Sequence, residues 1–166
     1  MDALFTGLIG VGATLLGSLT TYLFQSRAAE QARAFERGER RRQEQADACA
    51  AYAAALTELK RGLITLWFCR RRDPDGDEAR AIRTECDRLG AAAETAQFRV
   101  QLVCGNLELM NLADAAFAAA GAISDTPGRT ELHAAEDRFD AAVKAFISSA
   151  AEQLRAISHR PLQQRE

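Results

Sequence analysis

An uninterrupted apolar run near the N-terminus constrains this chain more than any other feature. Residues 3–24 read ALFTGLIGVGATLLGSLTTYLF, with no charge, proline or amide side chain. A bilayer core takes about 20 such residues as a helix, so the run predicts a transmembrane anchor over 1–25. Asp2 is the only charge before it. The run is longer than the apolar core of a secretory leader and lacks the basic segment that precedes one. Arg27, Arg33, Arg37 and Arg40 to Arg42 all follow it. Basic flanks stay on the cytoplasmic side, so the expected topology is a single pass of the inner (plasma) membrane, N-terminus out and bulk cytoplasmic.

Residues sort by angle around the predicted span. Thr6, Gly10, Ala13, Thr14, Gly17, Ser18 and Thr21 fall within one arc of about 140° at 100° per residue, and the large apolar residues other than Phe24 fill the opposite side. Small residues let helix backbones approach closely in lipid, so this face predicts a partner helix, most simply a second copy. The leucine, isoleucine, valine and phenylalanine side chains contribute roughly 3 to 6 kcal/mol to insertion, partly offset by the glycines and hydroxyls. Gly10, Gly12 and Gly17 do not make a dinucleotide loop, because GxGxxG needs glycine where Leu15 stands.

Residues 26–48 interleave both signs of charge, as on a solvated helical stalk held by i,i+4 pairs. Arg27 and Arg33 are the expected headgroup contacts. From 49 to 160 the pattern becomes that of a helical bundle, with 161–166 as a tail. Cys49, Tyr52, Leu56, Leu59, Leu63 and Leu66 step alternately by three and four, the stripe of a packed helix and a candidate helical interface. Arg70 to Arg72 suit a helix C-terminus, and Asp73, Pro74, Asp75 and Gly76 form a turn. A second regular stripe runs through Ala79, Ile82, Cys86, Leu89, Ala93, Ala96, Val100 and Val103. Gly105 and Asn106 then suit a C-cap and an N-cap. Beyond them two registers compete, one through Leu109, Leu112, Ala116 and Ile123, the other through Leu107, Met110 and Phe117, leaving open whether the chain reverses or kinks. After a loop with Pro127 and Gly128, a last helix from about Glu131 to Ser158 points Leu132, Ala135, Phe139, Val143, Phe146, Ala150, Leu154 and Ile157 inward. The predicted fold is therefore all-α, a membrane helix and stalk followed by a cytoplasmic antiparallel helical bundle or coiled-coil hairpin.

Chemistry is sparse. The formal charge of -2 gives no global field for nucleic acid. The four cysteines stand far apart without a CxxC pair, which argues against zinc or a compact disulfide framework and suits a reducing compartment. Cys49 and Cys86 fit helix stripes and read as small core residues. His133 and Glu136 give a single HxxE, the reverse of the ExxH that di-iron bundles use twice. No cofactor, metal or enzymatic activity is expected.

The short outer end, the glycine-rich span, the ERxRRxE-like charged stalk and the alanine-rich helices together resemble small, mostly uncharacterised actinobacterial proteins with a single membrane anchor. That resemblance is one of layout and implies no activity. The function it fits is a non-enzymatic, membrane-tethered interaction or scaffold module. Such a module would self-associate into a homo-oligomer through the small face and hold an unknown protein partner. One alternative is a membrane-perturbing or pore-forming protein of holin or toxin type, its hydroxyl-rich face lining an aqueous path. Another is a soluble helical bundle with its first helix buried.

Overall fold

The computed structural model describes the backbone of residues 2–159 and the side chains of residues 33 and 35–156. Four helices follow one another: α1 (Asp2–Arg72), α2 (Asp77–Cys104), α3 (Leu107–Gly121) and α4 (Arg129–His159). No proline precedes Pro74. Helix α1 ends at Arg72, just before the proline that disfavours helical geometry in the residue ahead of it. The chain divides into two compact units, Met1–Arg41 and Arg42–Glu166.

In the first unit, the described side chains from Arg33 onward are exposed, Phe35 among them at 73%. Arg37 donates from Nε to the Arg33 carbonyl at 3.2 Å, a contact within the helix surface.

The second unit is an all-α four-helix bundle, and its contacts fix the direction of each helix. Residues facing one another across α1 and α2 nest about the turn at 73–76. Arg72 pairs with Glu78, Gly62 faces Cys86 and Leu89, and Gln45 reaches Val103. The two helices are therefore antiparallel. Gly105, with φ of 59°, takes the left-handed C-cap, and the Asn106 side chain accepts from the Leu109 amide at 3.1 Å to open α3. Gln97 then meets Asp114, equally far from this connector on its other side, so the chain reverses at Gly105. Helix α4 returns along α1: Phe68 lies by Arg129, Lys60 by Asp140, and Tyr52 by Phe146. The result is an up-down-up-down bundle of the kind short connections favour.

Heptad spacing explains the core. On α2, Ala79, Cys86, Ala93 and Val100 are buried at seven-residue intervals, with Ile82, Leu89 and Ala96 half-buried beside them. On α1, Cys49, Tyr52, Leu56, Leu59, Leu63 and Leu66 are all buried. On α3 the buried face is Leu109, Ala113, Ala116 and Ala120 with Ile123 beyond, whereas Leu107 is 71% exposed. Of the competing register only Leu107 is turned out, since Met110 is half-buried and Phe117 packs against the edge of the core. On α4, Leu132, Ala135, Phe139, Phe146 and Ala150 are buried and Val143 is half-buried; Ile157 lies outside the described side chains. Each fully buried Leu, Ile or Phe contributes about 1.5–3 kcal/mol of transfer free energy. The two-residue offset between the expected and observed start of α4 arises because the Gly128 carbonyl already accepts from the Leu132 amide, placing Thr130 inside the first turn.

The membrane reading is corrected. Among the described residues no helix is long and apolar enough to cross a membrane. In the bundle the apolar residues recur every three or four positions and are covered by the chain's own helices, the pattern of a packed core. The transmembrane fold class, the inner-membrane localisation with its N-out topology, and the membrane as a partner fall with this finding. Residues 3–24 are not a separate element; they form the start of α1. The packing face proposed at Thr6, Gly10, Ala13, Thr14, Gly17, Ser18 and Thr21, and the flanking Arg27, lie outside the described side chains. Arg33 is exposed.

Candidate functional site

Polar and reactive side chains stand at both ends of the bundle and between them. At the end formed by the 73–76 turn and the α3–α4 connection, the last turn of α1 holds the connecting loop in place. Trp67, 5% exposed, donates from Nε1 to the Thr126 carbonyl at 2.8 Å. The Arg71 guanidinium lies 4.3 Å from the Trp67 ring centroid and donates to the Pro127 carbonyl. Arg129 stands 5.8 Å from the Phe68 ring, which packs edge-on against Trp67 at 5.0 Å. Arg72 reaches Glu78 at 3.5 Å and the Cys69 sulfur at 3.9 Å. A shallow cleft of about 280 Å³ is bordered by Trp67, Arg70, Arg71, Ser124, Asp125 and Thr126. Arg71, Arg72 and Arg129 are thus engaged: Arg71 fastens the α3–α4 connection, Arg72 ties α1 to the start of α2, and Arg129 sets the start of α4 over a ring of α1.

At the opposite end, α2 stops beside α1. Gln45, 8% exposed, donates from Nε2 to the Val103 carbonyl at 3.0 Å. The Cys49 and Cys104 sulfurs lie 3.8 Å apart. Phe98 and Leu102, one turn apart on α2, are 52% and 87% exposed.

Between the ends, Tyr52 is fully buried. Its hydroxyl donates to the Ala113 carbonyl at 2.8 Å, and its ring meets Phe146 edge-on at 5.3 Å. Burial pushes its phenol above the ordinary value, and the nearby Asp114 carboxylate adds to the effect. Lys60 pairs with Asp140 at 2.7 Å and lies 5.1 Å from the Phe139 ring. Gln97, 7% exposed, donates to Asp114 at 2.5 Å. His133 and Glu136, the HxxE pair, meet at 3.1 Å on an exposed stretch of α4. Among the described residues no group of three or more His, Cys, Asp or Glu side chains could hold a metal, and no buried side-chain nitrogen or oxygen lacks a partner.

The predicted stripe from Cys49 to Leu66 is therefore consumed inside the chain, where it packs on α2, α3 and α4. It offers no face for a second copy, so the expected homo-oligomer loses this contact, and the unknown partner gains no identity. Sequence reasoning passed over Gln45, Gln97 and the meeting of Cys49 with Cys104. Gln45 stands one heptad before Tyr52, and Gln97 four residues after Ala93, so heptad position alone marks both as inward. Once α1 and α2 are folded about Pro74, residues near 45–49 and 103–104 coincide.

The bundle so defined is an all-α four-helix protein whose buried polar side chains, Gln45 and Gln97, bond across helices. The chain belongs to the KilB plasmid transfer protein family, which it matches over residues 46–154. That match takes in the whole apolar core from Ala48 to Ala150. It replaces the resemblance to actinobacterial membrane-anchored proteins, which rested on the layout of the chain and on no diagnostic motif. No curated protein and no solved structure matches the chain.

Proposed function

We propose that this chain serves plasmid transfer as a non-enzymatic helical bundle, contributing a folded surface and no chemical step. The observation that carries the reading is the family match, which begins and ends within the bundle unit and spans every core helix. The engagement of Trp67, Arg71, Lys60 and Gln97 in fastening contacts supports a structural use for its polar groups. The membrane-tethered, self-associating module is withdrawn, and with it the pore-forming alternative, which needed the same span. The findings agree best with the helical-bundle alternative.

The test is complementation. Deleting the gene from a transmissible plasmid should lower its transfer frequency, and supplying the chain in trans should restore it. A His133→Ala/Glu136→Ala double variant should restore transfer fully, as should Lys60→Met. Transfer indifferent to the deletion would remove the plasmid-transfer role. Transfer lost in either variant, with helicity and unfolding midpoint unchanged, would place a functional requirement on those polar groups and overturn the reading that they serve the fold alone.

A further inference from the structure

Four cysteines enter the bundle, and the fold treats one pair differently from the rest. Cys86 is buried against the Gly62 backbone, its thiol pushed up by burial and by the carboxylates of Asp87 and Glu85. Cys69 is buried and accepts from Arg72. Cys49 and Cys104, 55 residues apart in sequence, face each other with their sulfurs at 3.8 Å. The Gln45 amide, bonded to the carbonyl of Val103, holds the two helices in register one turn before Cys49 and one residue before Cys104. Cys104 is the last residue of α2, followed by the left-handed Gly105. A side chain at a helix end has backbone freedom that one in mid-helix lacks. The two thiols also differ in access, Cys49 being 8% exposed and Cys104 half-buried.

We propose that Cys49 and Cys104 are a redox modification site, a dithiol that a hydroperoxide converts to an intramolecular disulfide between α1 and α2. Cys104 reacts first because it is the accessible sulfur. Either thiol donates across the contact; with Cys49 as donor, the hydrogen bond holds Cys104 below its ordinary value and pushes Cys49 up. The Cys104 thiolate attacks one peroxide oxygen, the O–O bond breaks, and the sulfur becomes a sulfenic acid while the second oxygen leaves as water. The Cys49 sulfur then attacks the sulfenic sulfur. The S–S bond forms, the S–O bond breaks, and the hydroxyl leaves as water with the Cys49 proton. Two thiols have lost two electrons and one hydrogen peroxide has become two waters. A small thiol reductant reverses the step by two exchanges, ending as its own disulfide.

The pair also has what stops over-oxidation. A sulfenic acid at an isolated cysteine waits for a partner or proceeds to sulfinic acid, whereas here the resolving sulfur is already in contact. Disulfide geometry requires the two Cβ atoms to stand close, and two sulfurs at contact distance on adjacent helices meet that demand with side-chain rotation and a small adjustment at the end of α2.

The experiment uses the purified full chain, reduced, freed of reductant and exposed to hydrogen peroxide without denaturant. Remaining thiols are then alkylated and the protein mapped by mass spectrometry under non-reducing conditions. The expected product has lost two hydrogens, carries alkyl groups on Cys69 and Cys86 only, and yields a linked peptide pair containing Cys49 and Cys104. Dithiothreitol should restore four free thiols. Cys69→Ser and Cys86→Ser should keep the linkage, and Cys104→Ser, a change at a half-exposed helix end, should abolish it. In Cys49→Ser the sulfenic acid at Cys104 should persist long enough for dimedone to trap it. Linkage to Cys69 or Cys86, or four thiols alkylated alike after peroxide, would overturn the proposal, as would sulfinic acid at Cys104 in the wild-type chain without any linkage.

Discussion

Tyr52 shows how one side chain ties three helices. It starts on α1, donates to a carbonyl of α3 and lays its ring against Phe146 of α4, all with no exposure to solvent. Tyr52→Ala would remove a large aromatic from the centre of the core and should cost about 3–5 kcal/mol, measured by urea unfolding. That is a large share of the stability of a small domain. Tyr52→Phe keeps the ring packing and removes only the hydroxyl. The Ala113 carbonyl sits inside a helix and keeps its main-chain donor, so the expected loss is about 1 kcal/mol. The phenol also carries a pH signature. Its folded value is raised above the ordinary 10.0, so the folded state holds the proton where the unfolded chain releases it. The stabilisation is complete below pH 10 and is lost as pH rises from there toward the folded value. Wild type should therefore lose stability relative to Tyr52→Phe above that pH, by up to about 1.4 kcal/mol per pH unit, and the difference between the two curves isolates this group. Spacing places Tyr52 on an inward stripe. Its hydroxyl partner depends on where α3 comes to lie, which no local pattern encodes.

Among the elements, two glycines set how α2 meets its neighbours, each for a different reason. Helix α2 approaches α1 closely because Gly62 leaves room: a Cβ there would stand 3.0 Å from Leu89 Cδ1 and 3.2 Å from Cys86 Sγ. Gly62→Ala sets a helix-propensity gain of about 1 kcal/mol against that crowding, so its midpoint should move little. Gly62→Leu should destabilise by at least about 2 kcal/mol, since the larger side chain must separate the helices. At Gly105 the constraint is conformational, because a methyl group there would meet nothing within 4 Å but φ is positive. Gly105→Ala should cost about 1 kcal/mol and Gly105→Asn less, as asparagine tolerates the left-handed region. Both follow from urea midpoints at constant m. The periodic helices are legible in the sequence: the α2 heptad buries Ala79, Cys86, Ala93 and Val100. The α3 register is not, since Leu107 and Leu109 are equally apolar and only the direction of the Gly105 turn decides between them. The helix-dipole account of Arg70 to Arg72 is incomplete for the same reason, as Thr126 and Pro127 arrive from a distant part of the chain.

At the scale of the whole molecule, the apolar run at 3–24 dominates the sequence and draws a functional reading toward a membrane, yet family and fold are decided elsewhere. Every described residue of the buried cluster falls between Ala48 and Ala150, and the family match falls between residues 46 and 154. A hydrophobic run is read from composition alone, whereas a bundle core is spread over four stripes that acquire meaning only when superposed. If the core is self-contained, a chain beginning at Arg42 should fold to the same bundle, with an unfolding free energy within about 1 kcal/mol of the full chain, because every described residue of the buried cluster is retained. Circular dichroism should show the helicity expected for α2, α3, α4 and the retained part of α1, and the denaturant slope should fall only slightly, in proportion to the surface lost. A truncated chain that unfolds without cooperativity would mean that residues 1–41 supply part of the folding energy. The same truncation separates fold from function, since a chain that keeps its bundle but fails to restore plasmid transfer would place a functional requirement upstream of the family match.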